Sequence, residues 1–266
     1  MLIAQISDLH LCAADVLYQG VVDSTEMVAA AIKQIDTLSA GVPDVVLVSG
    51  DIVDHGTPDE YSNARDLLER ITQPLVIIPG NHDDRENCRL AFAHRTSWSD
   101  SGPLHTVADK LGPVRIIGLD ITVPGEHHGD VTEDAAEWLE ATLSQEPDRP
   151  TIVMIHQHPF MSGIPYLDLY DCRHGHRLAN IIKRFPAVER VVCGHVHRHI
   201  TVRFGGTTLC TAPSTTTAIS LQLHPDATPQ SYIEPPGLLL HHWTPENGLI
   251  THHFPIGQFD GPYPFA

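Results

Sequence analysis

The chain has 266 residues, of which 42% are hydrophobic, and its formal net charge at pH 7 is −17. This length supports one sizeable core, and the acidic composition disfavours a protein that tracks a nucleic acid backbone. No apolar run is long enough for a membrane-spanning helix, and the start, MLIAQISDLHL, does not resemble a signal peptide. Five scattered cysteines indicate reduced thiols. We therefore expect a cytoplasmic protein that binds neither a membrane nor a nucleic acid polymer.

Short apolar runs alternate with amphipathic segments in the first 80 residues. The strand-like runs are LIAQIS, DVVLVSG and PLVIIPG, at 2–7, 44–50 and 74–80. A helix is predicted over 24–38, with Ser24 as its N-cap. A second helix is predicted over 57–71, where Thr57 and Glu60 have the spacing of a capping box. This β-α-β-α-β order predicts a parallel sheet with helices on its faces.

The same alternation continues to residue 195. Strands are predicted at 114–120, 151–156 and 190–195, and helices at 132–143, with Thr132 as cap, and 175–185. Two β-hairpins follow, with turns at Gly205–Gly206 and near Asn247–Gly248. We predict a single domain over 1–266, in which the proline-rich stretch 222–237 and the tail 257–266 form a cap or contacts within an oligomer.

Five of the predicted strands end in side chains that can bind a metal ion. These side chains are Asp8 and His10, Asp51, Asn81 and His82, His156, and His195 and His197. Because the carboxyl ends of parallel strands lie along one edge of a sheet, we expect them to meet. Side chains two residues apart leave a strand on the same side, so Asp8 can share an ion with His10. Asp51, on a central strand, is placed to bridge two metals.

The chemistry of these donors favours two transition metal ions. Nitrogen and oxygen ligands together suit Fe, Mn, Zn or Co better than Ca. Two divalent ions bring about four positive charges, and Asp8 and Asp51 remove two of them. The residual positive charge would lower the pKa of a bridging water, and it would attract a phosphate ester in spite of the acidic surface.

In this order, the motifs D-x-H, G-D-x-x-D, G-N-H-D, a strand-terminal His and G-H-x-H resemble those of the calcineurin-like metallophosphoesterase family. The stretches ISDLH, VSGDIVDHG, IPGNHDD and CGHVHRH are most similar to bacterial class III cyclic nucleotide phosphodiesterases, in particular their glycerophosphodiesterase-like branch. The resemblance implies an α/β fold of four layers, an αββα sandwich, with a small C-terminal β-hairpin or cap excursion. It also implies a dimetal site at the sheet edges and a homo-oligomer.

The family's site residues can be carried over motif by motif. The resemblance implies one metal held by Asp8, His10, Asp51 and His197, and a second held by Asp51, Asn81, His156 and His195. It implies that the catalytic residues are Asp51, Asn81 and His82. It also implies that the substrate is bound by His82, Asn81 and His197. His82 would bind the phosphate or protonate the leaving oxygen, and Asp54 would support the ligands from behind. The family often has His-His-Pro where this chain has His156-Gln157-His158-Pro159, so His158 remains an alternative to His156.

These features predict a binuclear metal-dependent phosphodiesterase. It would hydrolyse small diesters, of the cyclic nucleotide or glycerophosphodiester type, through in-line attack by a metal-bridging hydroxide. A phosphomonoesterase or protein phosphatase with the same metal core is the alternative. A metal-binding scaffold is disfavoured because none of the seven ligands is missing. The loop 160–176 and the segment around Tyr18 are expected to line the pocket.

Overall fold

Two mixed β-sheets form the centre of the fold, which the computed structural model describes over residues 1–96, 98–261 and 263–264. In chain order, the strands of these sheets and of two short ribbons are β1 (Leu2–Ile6), β2 (Val45–Ser49), β3 (Leu75–Ile78), β4 (Thr106–Ala108), β5 (Arg115–Gly118), β6 (Gly129–Asp130), β7 (Thr151–Met154), β8 (Cys172–Arg173), β9 (Val188–Cys193), β10 (Thr201–Phe204), β11 (Thr207–Thr211), β12 (Ala218–Ile219), β13 (Ser231–Tyr232), β14 (Gly237–Thr244) and β15 (Gly248–Pro255).

Both large sheets have parallel centres and antiparallel edges. The first has the order β15-β14-β1-β2-β3, and the second has the order β10-β11-β9-β7-β5-β4. In the first sheet β1, β2 and β3 are parallel, and the antiparallel hairpin β14–β15 is added beside β1. In the second sheet β5, β7, β9 and β11 are parallel, and β4 and β10 close the two edges in the antiparallel sense. The predicted parallel sheet is therefore divided between two sheets.

The helices cover the outer faces of the two sheets. Their bounds are α1 (Ser24–Asp36), α2 (Pro58–Leu68), α3 (Arg85–Phe92), α4 (Glu133–Gln145) and α5 (Gly175–Ile182), with a 3₁₀ turn at Leu167–Leu169. One apolar cluster joins α1, α2 and α3 to the first sheet, and another joins α4 and α5 to the second. A third lies between the sheets, where Leu47 and Ile78 share a cluster with Ile116 and Met154. These layers form the expected αββα sandwich.

Most of the predicted local signals are confirmed. Thr57 and Glu60 form a complete capping box at the start of α2, and the Thr132 side chain caps α4. The predicted cap of α1 is wrong by one residue: Asp23 accepts the N–H of Glu26 at 2.9 Å, and Ser24 is already helical. Helix α3 was not predicted, because half of its eight residues are polar and it buries only Cys88 and Phe92.

The C-terminal third contains both predicted hairpins. Gly205–Gly206 connects β10 to β11, and the turn before Gly248 connects β14 to β15. The stretch 222–237 forms an excursion in which β13 pairs with β12. Of the tail 257–266, Pro262, Phe265 and Ala266 lie outside the described residues. In the described part of the chain, no helix combines the length and the hydropathy needed to cross a membrane.

Candidate metal centre

The backbone turns sharply just beyond three of the parallel strands. The residues at these turns have φ angles between 41° and 70°, and they are Asp8, His10, Asp51, His195 and His197. This left-handed region is unfavourable for residues with a Cβ, by about 1 kcal/mol or more each. The side chains therefore converge because the backbone turns after Ile6, Ser49 and Cys193. Alternation along a strand, which we used to explain the spacing of Asp8 and His10, does not apply.

Glycines make room for the convergence. Gly50 has φ +98°, and a Cβ added there would overlap the ring of His156. A Cβ on Gly80 would lie 2.7 Å from His156 Nε2 and closer still to a carboxylate oxygen of Asp51. A Cβ on Gly194 would meet Asp8 Oδ2 at 2.8 Å. The loops therefore approach each other more closely than any larger residue permits.

The turns bring six of the seven predicted ligands, all but Asn81, into two buried groups that share one carboxylate. One group contains Asp8, His10, Asp51 and His197, and the other contains Asp51, His156 and His195. In each group, one ligand atom from every residue lies within 4.8 Å of the others. Asp8 and Asp51 follow strands of the first sheet, whereas His156 and His195 follow strands of the second. The site is therefore assembled between the two sheets and not along the edge of one.

Hydrogen bonds to the far side of the imidazoles determine which nitrogen faces the site. Nδ1 of His156 donates to the carbonyl of Ser49 at 2.7 Å, and Nδ1 of His197 donates to the carbonyl of Thr217 at 2.7 Å. Because a carbonyl can only accept, each neutral ring has its lone pair on Nε2. His10 Nδ1 lies 3.2 Å from the Asp54 carboxylate, and its Nε2 lies 3.1 Å from Nε2 of His197. When both rings are neutral, the two Nε2 lone pairs repel each other unless a cation lies between them.

Three further ligand atoms lack any hydrogen-bond partner among the described residues. They are Nε2 of His156, Nε2 of His195 and Oδ1 of Asn81, and all are buried. Leaving such atoms unsatisfied costs about 1–3 kcal/mol each. Metal coordination would satisfy all three, so the residues present fit the divalent metals that the donor set favours.

The carboxylates are oriented by backbone N–H groups. The N–H of His195 donates to Asp8 Oδ1 at 2.9 Å, and the N–H of His82 donates to Asp51 Oδ1 at 2.9 Å. Behind them, the half-buried Asp83 accepts the N–H of Gly80 at 2.8 Å and the hydroxyl of Tyr61 at 2.8 Å. These contacts fix the loops after β2 and β3 before any ligand binds.

The electrostatic environment also suits bound cations. Burial, followed by the neighbouring imidazoles of His156 and His158, lowers the pKa of His195 well below its usual value. Burial likewise lowers the pKa of His197. At His156 burial opposes charge as well, but Asp51 and Asp8 outweigh it and raise the pKa to about 9. The carboxylates thus create a field that draws positive charge into the site.

The two histidines that compete for one ligand position have different surroundings. Nε2 of His156 lies 3.2 Å from Asp51 Oδ2, within the second group. His158 is equally buried, but its Nε2 lies 3.5 Å from Asp168 Oδ1 and it belongs to neither group. The second ligand group therefore contains His156 and not His158.

His82 and Asp54 lie beside the first group. Nδ1 of His82 donates to the carbonyl of Asp54 at 2.7 Å. Burial lowers the pKa of His82, but the charges of Asp51 and Asp54 outweigh it and raise the pKa to about 10. The Asp54 carboxylate contacts the far side of His10, as expected of a residue behind the ligands.

A cavity of about 390 Å³ opens over both groups. Tyr18 and the loop 160–176 line it as predicted, the latter through Tyr166, Leu167 and Tyr170. Sequence reasoning missed His127, which lies 3.3 Å from the Asn81 amide and has no motif around it except a second histidine. It also assigned no pocket role to Gln230 and Ser231, which reach the cavity from the excursion 222–237.

Residues 1–199 match the family model of the calcineurin-like phosphoesterases. The chain belongs to this family. A probable glycerophosphodiester phosphodiesterase of Arcobacter nitrofigilis is 36% identical over 266 residues, which cover 100% of this chain and 97% of the relative. The 3',5'-cyclic adenosine monophosphate phosphodiesterase of Escherichia coli is 29% identical over 80% of this chain and 75% of its own length.

The fold is shared with much more distant proteins. A dimetal phosphatase of Danio rerio superposes with a TM-score of 0.62 at 12% identity, covering 97% of this chain and 99% of that chain. At this level of identity the similarity concerns the sandwich alone. The relatives named as diesterases and the structure together confirm the family that the motifs indicate.

Gly80→Ala tests whether close loop packing holds the calcineurin-like phosphoesterase site together. The added methyl group would displace Asp51 and His156, so we expect metal affinity to fall by about 10- to 100-fold, the range for residues that support ligands. Titration with Mn²⁺ followed by elemental analysis measures this. Gly125→Ala is the control, because a Cβ there meets nothing within 4 Å although φ is +80°. Equal metal binding by both variants would contradict the packing argument.

Proposed function

We propose that the chain is a binuclear metal-dependent phosphodiesterase that hydrolyses small diesters. The observation that carries this proposal is the pair of buried ligand groups that share Asp51 beneath an open cavity. Membership of the phosphoesterase family and the names of the relatives support it. Cyclic nucleotides and glycerophosphodiesters are the diesters that those names suggest.

The two ligand groups suggest how the metals would be held. We assign one metal to Asp8, His10, Asp51 and His197, and the second to Asp51, Asn81, His156 and His195. When bound, divalent cations supply Lewis acidity, which lowers the pKa of water and offsets the charge on a phosphate. The nitrogen and oxygen donors suit Fe, Mn, Zn or Co.

The chain's own residues would orient the diester and handle the leaving group. Nδ1 of His82 already donates to Asp54, so Nε2 is the atom that can hold a proton for a phosphate oxygen or the leaving alkoxide. The Asn81 amide nitrogen lies 3.3 Å from Nδ1 of His127, which leaves Oδ1 buried and without a hydrogen-bond partner among the described residues. Asn81 and His197 also line the cavity, where a phosphate oxygen could contact them.

The charge of the cavity favours a diester over a monoester. No lysine or arginine is found among the described residues that line it. Beyond the two ligand groups, the lining offers tyrosines and the amides of Gln19 and Gln230, and the positive charge there comes from the imidazole of His82. A diester carries one negative charge, whereas a monoester carries up to two and needs more positive charge around it. The metal core alone would accept either, so the lack of a lysine or arginine among these lining residues is the feature that favours a diester.

Relative turnover of two aryl phosphates tests this proposal. After metal reconstitution we expect kcat/KM for bis(p-nitrophenyl) phosphate to exceed that for p-nitrophenyl phosphate by about tenfold or more, equivalent to about 1.4 kcal/mol. Apoprotein prepared with a chelator is the control and should hydrolyse neither compound. Preference for the monoester would support the monoesterase alternative, and inactivity of the loaded protein toward both would support a scaffold.

Assembly and location belong to the same proposal. All five cysteines are free and buried, which suits the reducing cytoplasm. The excursion 222–237 exposes Leu223, Tyr232 and Ile233, each by more than half of its surface. Apolar side chains grouped in this way are typical of contacts between protein chains, so we propose a homo-oligomer.

The mass in solution tests the oligomer. Sedimentation equilibrium should give a multiple of the 29.2 kDa chain mass. Replacing Ile233 with Asp should shift the mass toward that of the monomer, whereas Val42→Asp, at an exposed apolar residue outside the excursion, should not. A wild-type protein that sediments as a monomer would exclude the homo-oligomer.

A further inference from the structure

Residues 158–170, here called the tyrosine segment, form one wall of the cavity. Tyr166, Leu167 and Tyr170 are its contributions to the lining. At its start, the ring of His158 stacks on His195, with centroids 5.4 Å apart and planes 27° apart. At its end, the ring of Tyr170 lies 5.3 Å from that of His127, which contacts Asn81. The segment thus extends from one proposed metal ligand to another around the substrate space.

A single carboxylate joins the parts of this segment. Asp168 Oδ1 accepts the N–H and the hydroxyl of Ser162, both at 2.7 Å, and Oδ2 accepts the N–H of Gly163 at 3.0 Å. The same Oδ1 lies 3.5 Å from Nε2 of His158. The turn at 162–163, the 3₁₀ turn at 167–169 and the buried start of the segment are therefore held by one side chain.

His158 connects Asp168 to the protein interior. Its side chain is fully buried, between the ring of His195 and the edge of Phe160 at 5.5 Å. Neither ring nitrogen forms a hydrogen bond with the residues that the structure describes, and Asp168 is the carboxylate that it faces. The proposed metal sites do not use His158, so its contact with Asp168 gives this buried imidazole a role.

We propose that Asp168 is a positioning residue that sets substrate recognition by holding Tyr166 and Tyr170 at the cavity. This inference depends on the proposed function, since it assigns those tyrosines to the part of the diester that lies away from the metals. Asp168 is not among the described residues that line the cavity. It would therefore act through the tyrosine segment, and its loss should weaken substrate binding without removing a metal.

Asp168→Ala is the first test, with Asp171→Asn as control in the same loop. For bis(p-nitrophenyl) phosphate we expect Asp168→Ala to raise KM about tenfold, with kcat within about twofold and metal content unchanged, as for a lost binding interaction. Hydrogen–deuterium exchange across 160–170 should become faster in this variant. Asp168→Asn keeps an oxygen for Ser162 and should fall between the wild type and Asp168→Ala. Asp171→Asn should match the wild type.

A double variant tests whether Asp168 acts through the tyrosines. If it does, Asp168→Ala combined with Tyr170→Ala should raise KM by much less than the product of the two single effects. Independent, multiplicative effects would overturn the inference. So would a loss of metal or an equal fall in kcat for Asp168→Ala, since either would place the residue at the metal centre.

The two proposals can fail separately. If the wild type hydrolyses no diester, the proposed function fails, and the exchange measurement then decides whether Asp168 holds the segment. Faster exchange confined to 160–170 would support that role. Unchanged exchange in Asp168→Ala would overturn the inference whatever the activity.

Discussion

The site depends on an arrangement of lone pairs that is unfavourable by itself. Nε2 of His10 and Nε2 of His197 lie 3.1 Å apart, beside two buried carboxylates. Burying carboxylates and unpaired imidazole nitrogens costs free energy unless an opposite charge joins them. The surrounding features hold these atoms in place against that cost: left-handed turns at Asp8 and Asp51, a glycine where any Cβ would collide, and N–H donors to each carboxylate. Bound divalent cations would make the arrangement favourable.

The sandwich explains how residues from Asp8 to His197 meet at this point. Strands β1, β2 and β3 of one sheet and β7 and β9 of the other direct their carboxyl ends toward the same cleft. The apolar cluster between the sheets holds the two halves together, so each half can supply part of the ligand set. Because neither sheet carries all the ligands, the metal centre should also join the two halves when it is occupied.

Much of the fold and site could be predicted because the signals were local and repeated. The buried strands are continuous apolar runs in the sequence. Each of the five strands that lead to the site is followed by a residue type that can bind a metal. The capping box at Thr57 also depends only on neighbours in sequence. The division into two sheets could not be predicted from local sequence, because it depends on which distant strands pair with each other. The cap of α1 shifted to Asp23 because both residues are good caps, and propensity alone does not choose between them. The residues of the cavity wall were the hardest to predict, because Gln230 and His127 reach the cavity only through tertiary packing.

Crystals soaked in Mn²⁺ offer the most direct test of the central claim that Asp51 lies between two cations. Anomalous diffraction should show two peaks, one on each side of the Asp51 carboxylate. In His156→Ala the peak beside His195 should weaken or vanish, whereas His158→Ala should keep both peaks. A single peak, peaks remote from Asp51, or loss of a peak in His158→Ala alone would contradict the arrangement described here.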